Sequence, residues 1–334
     1  MIFLHSQTLL LGIGSPMGFP GSFFCRGCVF AALFAFSGLF AAPGDYLGLD
    51  VLSDRCSGTV SYGEGGRCGT VRGKNLELQC RLNGACYRLN GVNVYGQCAV
   101  AGQPGRLRIG RDDWDRVIVP LLSPLAVAPP RRICIDPGHG GRDAGAGRTR
   151  GNLEEKNLTL DVAKRLKILL KKRGFEVVLT RGGDQFVSLE DRSAIANGAK
   201  CDLMVCVHFN AADSPRAEGI ETYILPGQGY SSTARLNSPS AKDKKFCTNN
   251  RYDEKNLYLA YCLQREMKGL RSAIDRGIKR GRFKVLEDAD CPAVLVECGF
   301  LTGSRESARI ADGNYRQAIA NALCEGICAY GSRK

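Results

Sequence analysis

Histidine is scarce in this chain. There are three in 334 residues, so any imidazole chemistry rests on very few positions. Long apolar runs are missing as well: the most hydrophobic stretch, CVFAALFAFSGLFAA at residues 28–42, falls short of the roughly 20 residues that cross a bilayer, which argues against a stable membrane span. Neither nucleotide signature is present. G-x-x-x-x-G-K-[ST] does not occur, and the glycine-rich loop from Gly138 has Asp143 where the dinucleotide fingerprint needs its third glycine. No C-x-x-C pair has zinc-ribbon spacing, because Cys25 and Cys28 belong to the apolar N-terminal region. Sixteen cysteines lie below the density of a disulfide scaffold. Acidic residues are the minority charge, 33 against 46 Lys and Arg for a formal charge of +13. That balance suits an anionic partner such as nucleic acid, an acidic membrane surface or a cell-wall polymer, without choosing among them.

What is present is a globular composition, 44% apolar and 24% charged, in a chain long enough for two domains or one large one. Residues 1–42 read as a leader: Arg26 precedes the apolar stretch and Ala41, Ala42 and Pro43 follow it, the layout of an export signal, with Met17 as an alternative start. Residues 43–124 carry the alternating segments LELQC, CYRLNGVNVYG and RLRIG between Asn-Gly and Gly-Gly turns, and read as a small β-rich accessory module. Export would permit disulfides among Cys56, Cys68, Cys80, Cys86 and Cys98, though an odd number cannot all pair. Cys134, Cys206, Cys298, Cys324 and Cys328 occupy apolar positions and read as small buried hydrophobes. The proline-bearing stretch 125–131 reads as a linker.

From residue 132 to 331 strands and helices alternate, which predicts an α/β domain with a mixed, roughly six-stranded sheet flanked by helices. The expected order is strand 132–136, helix 153–173, strand 175–181, helix 188–197, strands 202–209 and 219–225, helix 253–279, strands 282–286 and 293–297, and helix 313–330. Leu158, Val162, Leu166 and Leu169 mark one face of the first helix, with Asn152 as its N-cap and Gly174 as its stop. The polar stretch 226–250 is longer than an ordinary connection, and such loops are commonly functional.

Two histidines close strands. In ICIDPGHGG (133–141) an apolar run stops at Asp136 and turn formers surround His139; in DLMVCVHFN (202–210) His208 ends another apolar run. Loops at strand C-termini are where open α/β sheets place ligands. If the two strands are neighbours their imidazoles converge, and imidazole is a preferred zinc ligand. A hydrolytic zinc site commonly takes a third protein ligand and keeps one position for water. Glu155 is the candidate, at the start of the helix after the His139 loop. Asn152-x-x-Glu155 is also a capping-box spacing, and spacing leaves both readings open. AVLVECGFL (293–301) carries Glu297 at the end of an apolar strand, where a buried carboxylate needs a partner or a function. Beside a water that a metal activates, it can serve as general base and then as general acid.

IDPGHGG, EEKN at 154–157, VHFNAA at 207–212 and LVECGFL at 295–301, in this order, resemble the zinc-dependent N-acetylmuramoyl-L-alanine amidases of bacterial cell walls, amidase type 3. The resemblance covers about residues 132–331. It implies one zinc ion on His139, Glu155 and His208, with Glu297 as catalytic acid/base, which favours the ligand reading of Glu155 over the cap. It implies peptidoglycan as substrate and partner, a protein activator as a further candidate partner, no nucleic acid, and export to the periplasm or cell envelope. Asp136, Arg181 and Asn210 are expected beside the site as substrate-positioning or supporting groups. The chain departs from the family at Cys206 and Phe209 and at Glu287, where arginine is frequent, so fine substrate preference is open. Residues 87–122 are weakly similar to the N-terminal domain of copper amine oxidases. Alternative readings are another zinc-dependent wall peptidase and a non-catalytic wall-binding or regulatory protein. The 226–250 loop is expected to cover the zinc until an activator moves it.

Overall fold

The computed structural model describes residues 46–122, 127–146, 153–236 and 238–332. The expected leader and the Asn152 cap lie outside these residues. Residues from Gly44 onward form one compact unit.

It begins with β1 (Tyr46–Gly48) and α1 (Leu49–Arg55), then an antiparallel meander of β2 (Thr59–Gly63), β3 (Cys68–Gly73), β4 (Leu76–Arg81), β5 (Cys86–Leu89) and β6 (Val92–Tyr95). Val71, Leu78, Tyr87, Leu89, Val92 and Val94 are buried while their sequence neighbours turn outward, the period of two that lets one face of a sheet be core. The β5–β6 hairpin turns on Asn90 and Gly91, both at positive φ (47° and 80°), the geometry that an Asn-Gly pair supplies. β7 (Ala101–Gln103) and β8 (Arg106–Gly110) join β1 in a separate small sheet. A helical stretch follows: α2 (Arg111–Asp113), a π-helical turn (Trp114–Ile118) and α3 (Val119–Leu122).

The second half alternates as expected: β9 (Arg132–Pro137), α4 (Glu155–Lys172), β10 (Glu176–Leu179), α5 (Leu189–Gly198), β11 (Leu203–Asn210), β12 (Ile220–Ile224), α6 (Asp253–Met267), β13 (Asp275–Arg280), α7 (Lys284–Glu287), β14 (Ala293–Phe300), α8 (Glu306–Ala311) and α9 (Gly313–Gly331). Its strands lie in the order β10-β9-β11-β14-β12-β13. β12 is antiparallel to β14, and the other pairs are parallel. Strands covered on both faces read as continuous apolar runs. Ile133, Ile135, Val205, Val207, Val294 and Val296 share a core with α4, α6 and α9; Cys134, Met204, Cys206 and Leu295 face a second core with α5 and α7. In α4 the buried stripe is Leu158, Val162, Leu166 and Leu170, and Leu169 is only half-buried. The helix ends at Gly174, whose φ of 88° is the left-handed stop that glycine adopts cheaply.

Two expected elements are corrected. The helix foreseen over 253–279 stops at Met267, and the strand foreseen over 282–286 is a single helical turn. Gly269 and Ser272 turn the chain, Ser272 at φ 60°, and residues 275–280 become β13. That polar segment has little pattern of its own; pairing with β12 on one side and β6 on the other overrides its local propensity.

The sheet therefore does not stop at β13. Ile278 pairs with Val94 of β6, so that β2–β6 and β9–β14 form one eleven-stranded sheet. Asn93 seals the seam: its N–H donates to Asp275 Oδ2 and its Nδ2 to Asp275 O, both at 2.9 Å. A Cβ at Gly277 would lie 2.8 Å from Asn93 O, and its φ is 86°, so the approach requires glycine. Cys56, Cys68, Cys80 and Cys86 in the N-terminal half are free thiols. Cys134, Cys206, Cys298 and Cys324 are buried as expected of small hydrophobes, and Cys328 is half-buried.

Candidate metal centre

β9 and β11 are neighbours, with Val207 opposite Pro137. His139, just past the end of β9, and His208, near the end of β11, therefore meet with ring centroids 4.9 Å apart. β14 lies on the other side of β11 and sets Glu297 opposite His208. Helix α4 brings its first residue, Glu155, back beneath both rings. Glu155 does not cap its helix. One carboxylate oxygen lies 3.1 Å from His139 Nε2 and the other 3.2 Å from His208 Nδ1, and the group also accepts the N–H of Ala146 and of Phe209.

The loop is held in an unfavourable shape. His139 adopts φ 62°, a conformation that costs a non-glycine residue free energy and persists only when its surroundings enforce it. Two buried arginines do so. Arg181 donates to the carbonyls of Pro137, Gly138 and Lys156, and Arg192 to those of Pro137 and His139. Space is tight as well: a Cβ at Gly138 would lie 2.3 Å from the His208 ring, and one at Gly145 would lie 2.5 Å from Glu155 Oε2. Only glycine leaves the two rings and the carboxylate where they are.

One ligand atom each from His139, Glu155 and His208 lie within 4.8 Å of one another. Burial pushes the Glu155 carboxyl up, but the hydrogen bonds and charge of the two imidazoles more than reverse this and hold it well below the usual range, so it is ionised and able to ligate. Burial lowers His139, and the carboxylates of Glu155 and Asp143 overcome it to leave a net rise. Asp143 Oδ2 sits 2.8 Å from His139 Nδ1, the outer carboxylate that fixes the orientation of a ligating imidazole. Two imidazoles, one carboxylate and a supporting carboxylate fit a metal ion of the zinc type.

Glu297 is different in kind. Its Oε2 is sealed from solvent and has no hydrogen-bond partner. Burial first, then the charges of Glu155 and Glu221, push its carboxyl well above the normal range. Glu221 is its cross-strand neighbour on β12 and is well served: Asn210 Nδ2 donates to Oε1, and Arg276 Nε and Lys279 Nζ donate to Oε2.

His139, Glu155, His208 and Glu297 are thus brought together. Asp136, Arg181 and Asn210 surround them without facing the cluster directly. Asp136 is wholly buried and accepts from Thr180 and Arg192; Arg181 clamps backbone; Asn210 ties Glu221 to the strand end. Sequence reasoning passed over Asp143, Arg192 and Glu221. Asp143, four residues after His139, carried a usable signal in its spacing; Arg192 and Glu221 lie on other elements and had none. The 226–250 loop leaves from Ile224, the end of β12 away from the Glu221–Glu297 pair. Its ties run to Arg280 and Arg282, so the packing contradicts the expectation that it covers the cluster.

Residues 133–329 match the family described as N-acetylmuramoyl-L-alanine amidase. The N-acetylmuramoyl-L-alanine amidase AmiA of Escherichia coli K12 is 30% identical over 220 residues, 60% of this chain and 76% of that protein. The probable cell wall amidase LytH of Staphylococcus epidermidis is 34% identical over 201 residues, 60% of this chain, and the match spans 58% of that relative's length. Among solved structures, the amidase AmiC2 of Nostoc punctiforme is similar with a TM-score of 0.50 at 30% identity, covering 60% of this chain and 96% of that one.

Proposed function

The chain belongs to the N-acetylmuramoyl-L-alanine amidase family, and from that premise we propose that residues 132–331 cleave the amide between the lactyl group of N-acetylmuramic acid and the L-alanine of the stem peptide, with one zinc ion on His139, Glu155 and His208. The observation that carries this reading is the clustered His-Glu-His donor set with Glu297, one of whose carboxylate oxygens has no partner, set opposite His208. A zinc ion held there would polarise the scissile carbonyl and acidify the attacking water. Glu297, set opposite His208, takes that water's proton as the new C–O bond forms. It then returns the proton to the alanine nitrogen as the C–N bond breaks, a transfer amides require because an amine anion is a poor leaving group. Asp143 orients the His139 ring. Arg181 and Arg192 keep the loop in its left-handed turn, and Asp136 holds Arg192. Asn210, with Arg276 and Lys279, engages Glu221 and so limits its repulsion of Glu297.

The substrate class implies export to the periplasm or cell envelope. Among the described residues no helix is long and apolar enough to cross a membrane. A protein activator stays a candidate partner, although the 226–250 loop supplies no cover over the cluster for it to lift. We further propose that residues 43–124 act as an accessory module joined through 125–131. Digestion of purified peptidoglycan followed by mass spectrometry tests the reading: intact stem peptides with free L-alanine amino termini are expected. Cuts inside the stem peptide would make the protein a wall peptidase instead.

A further inference from the structure

The eleven-stranded sheet carries the active site and the N-terminal strands on one surface. Across it the cross-strand partners run Glu297, Glu221, Gly277, then Asn93 beside Gly277 through the Ile278–Val94 pair, then Arg88 and Gln79, and onward into β3 and β2. Directly paired residues point to the same side of a sheet. The other side of β3–β6 is core, formed by Val71, Leu78, Tyr87, Leu89, Val92 and Val94, so the outward side is not needed to hold these strands together. Lys279 bridges the seam on that side. It reaches Glu221 and lies over the rings of both Tyr223 and Tyr95, 5.9 and 5.7 Å from their centroids.

We propose that this outward face of β6, β5, β4 and β3 is a docking track for the peptidoglycan whose amide is cut at Glu297, with Arg88 receiving stem-peptide carboxylates. The proposal rests on the amidase reading above. Continuity with the candidate site is the first argument. From β14 to β2 there are seven strand spacings of about 4.8 Å, roughly 34 Å in all, a length suited to a polymer and far beyond one scissile bond. Charge is the second. Arg72 and Arg81 on this face are answered by Glu77 and Glu64, and Arg276 and Lys279 by Glu221. Exposed Arg88 has no such acidic partner among the described residues, and a rim cation of this kind selects and steers an anionic partner. Binding at points remote from the scissile bond is also how an enzyme gains on a long substrate what it cannot gain on a short one.

The test uses the full chain with two substrates, purified sacculi and a soluble muramyl tripeptide. The ratio of kcat/KM on sacculi to kcat/KM on the tripeptide is expected to fall roughly three- to tenfold in Arg88→Glu. It should recover in Arg88→Lys and hold its parental value in the charge-matched Lys172→Glu on α4. A ratio that is the same in Arg88→Glu and parent overturns the track; Arg88→Ala answers the same question if charge reversal impairs folding. Co-sedimentation with sacculi, comparing Glu297→Ala with the Glu297→Ala/Arg88→Glu double variant, reads the track without catalysis. Weaker sedimentation of the double variant supports it and equal sedimentation refutes it. A parent chain that cleaves neither substrate would sink the amidase reading alone.

Discussion

Two acids, one in each half of the molecule and each with a carboxylate oxygen sealed from water, show what the halves are for. Asp113, at the end of the short helix after β8, is wholly buried, and its carboxylate accepts the Tyr87 hydroxyl at 2.9 Å and the N–H groups of Gln97 and Cys98 at 2.6 and 3.1 Å. Glu297, at the end of β14, has an oxygen equally cut off from water and nothing bonded to it. Burial raises both pKa values, against the pull of three hydrogen bonds for Asp113 and with the push of two neighbouring carboxylates for Glu297. A buried polar group without a partner costs stability. Asp113 meets the requirement and is scaffold. The strand ends of the second half leave it unmet beside a donor set for a metal, the arrangement expected where a carboxylate must gain and lose protons.

That contrast can be broken by mutation. The largest effect is expected at Glu297: Glu297→Gln should lower kcat by about 10²–10⁴-fold with a thermal midpoint no lower than the parent's. A cooperative loss of stability there would mean the residue is structural after all. Asp113→Ala should do the reverse and destabilise by about 2–4 kcal/mol in denaturant titrations, because the Tyr87 hydroxyl and two backbone donors lose their acceptor, while turnover per folded molecule stays parental. Asp143→Ala removes the carboxylate beside His139 and should weaken zinc affinity about 10–100-fold by competition with a chelator; unchanged affinity would deny it that supporting role. The smallest effect tests ordinary scaffold in the second half. Ser188 caps α5 by accepting the Asp191 N–H, and Ser188→Ala should cost about 1 kcal/mol with no change in metal content.

The same division governs what the sequence discloses. His139, His208 and Glu297 were legible because each interrupts an apolar run near a strand's end, and apolar runs in a sheet covered on both faces are hard to mistake. Glu155 stayed ambiguous between ligand and cap until its motif was joined with the others; the structure shows both of its oxygens turned to the imidazoles. β13 was misread as helix because its strand character comes from its two neighbours and from Gly277 fitting against Asn93. The continuous sheet was invisible for the same reason: a single pairing of Ile278 with Val94, 184 positions apart in the numbering, leaves no local trace. Glu221 and Arg192 act through partners on other elements, and no spacing rule within one segment finds them.

The most direct test is the zinc content of the full chain and of Glu297→Ala, measured with the release of free L-alanine amino termini from muramyl peptides. One zinc per chain in both proteins, with release only by the parent, is the predicted result. Absence of zinc from the parent, or release by Glu297→Ala at the parental rate, would contradict the assignment of His139, Glu155 and His208 as ligands or of Glu297 as the acid/base.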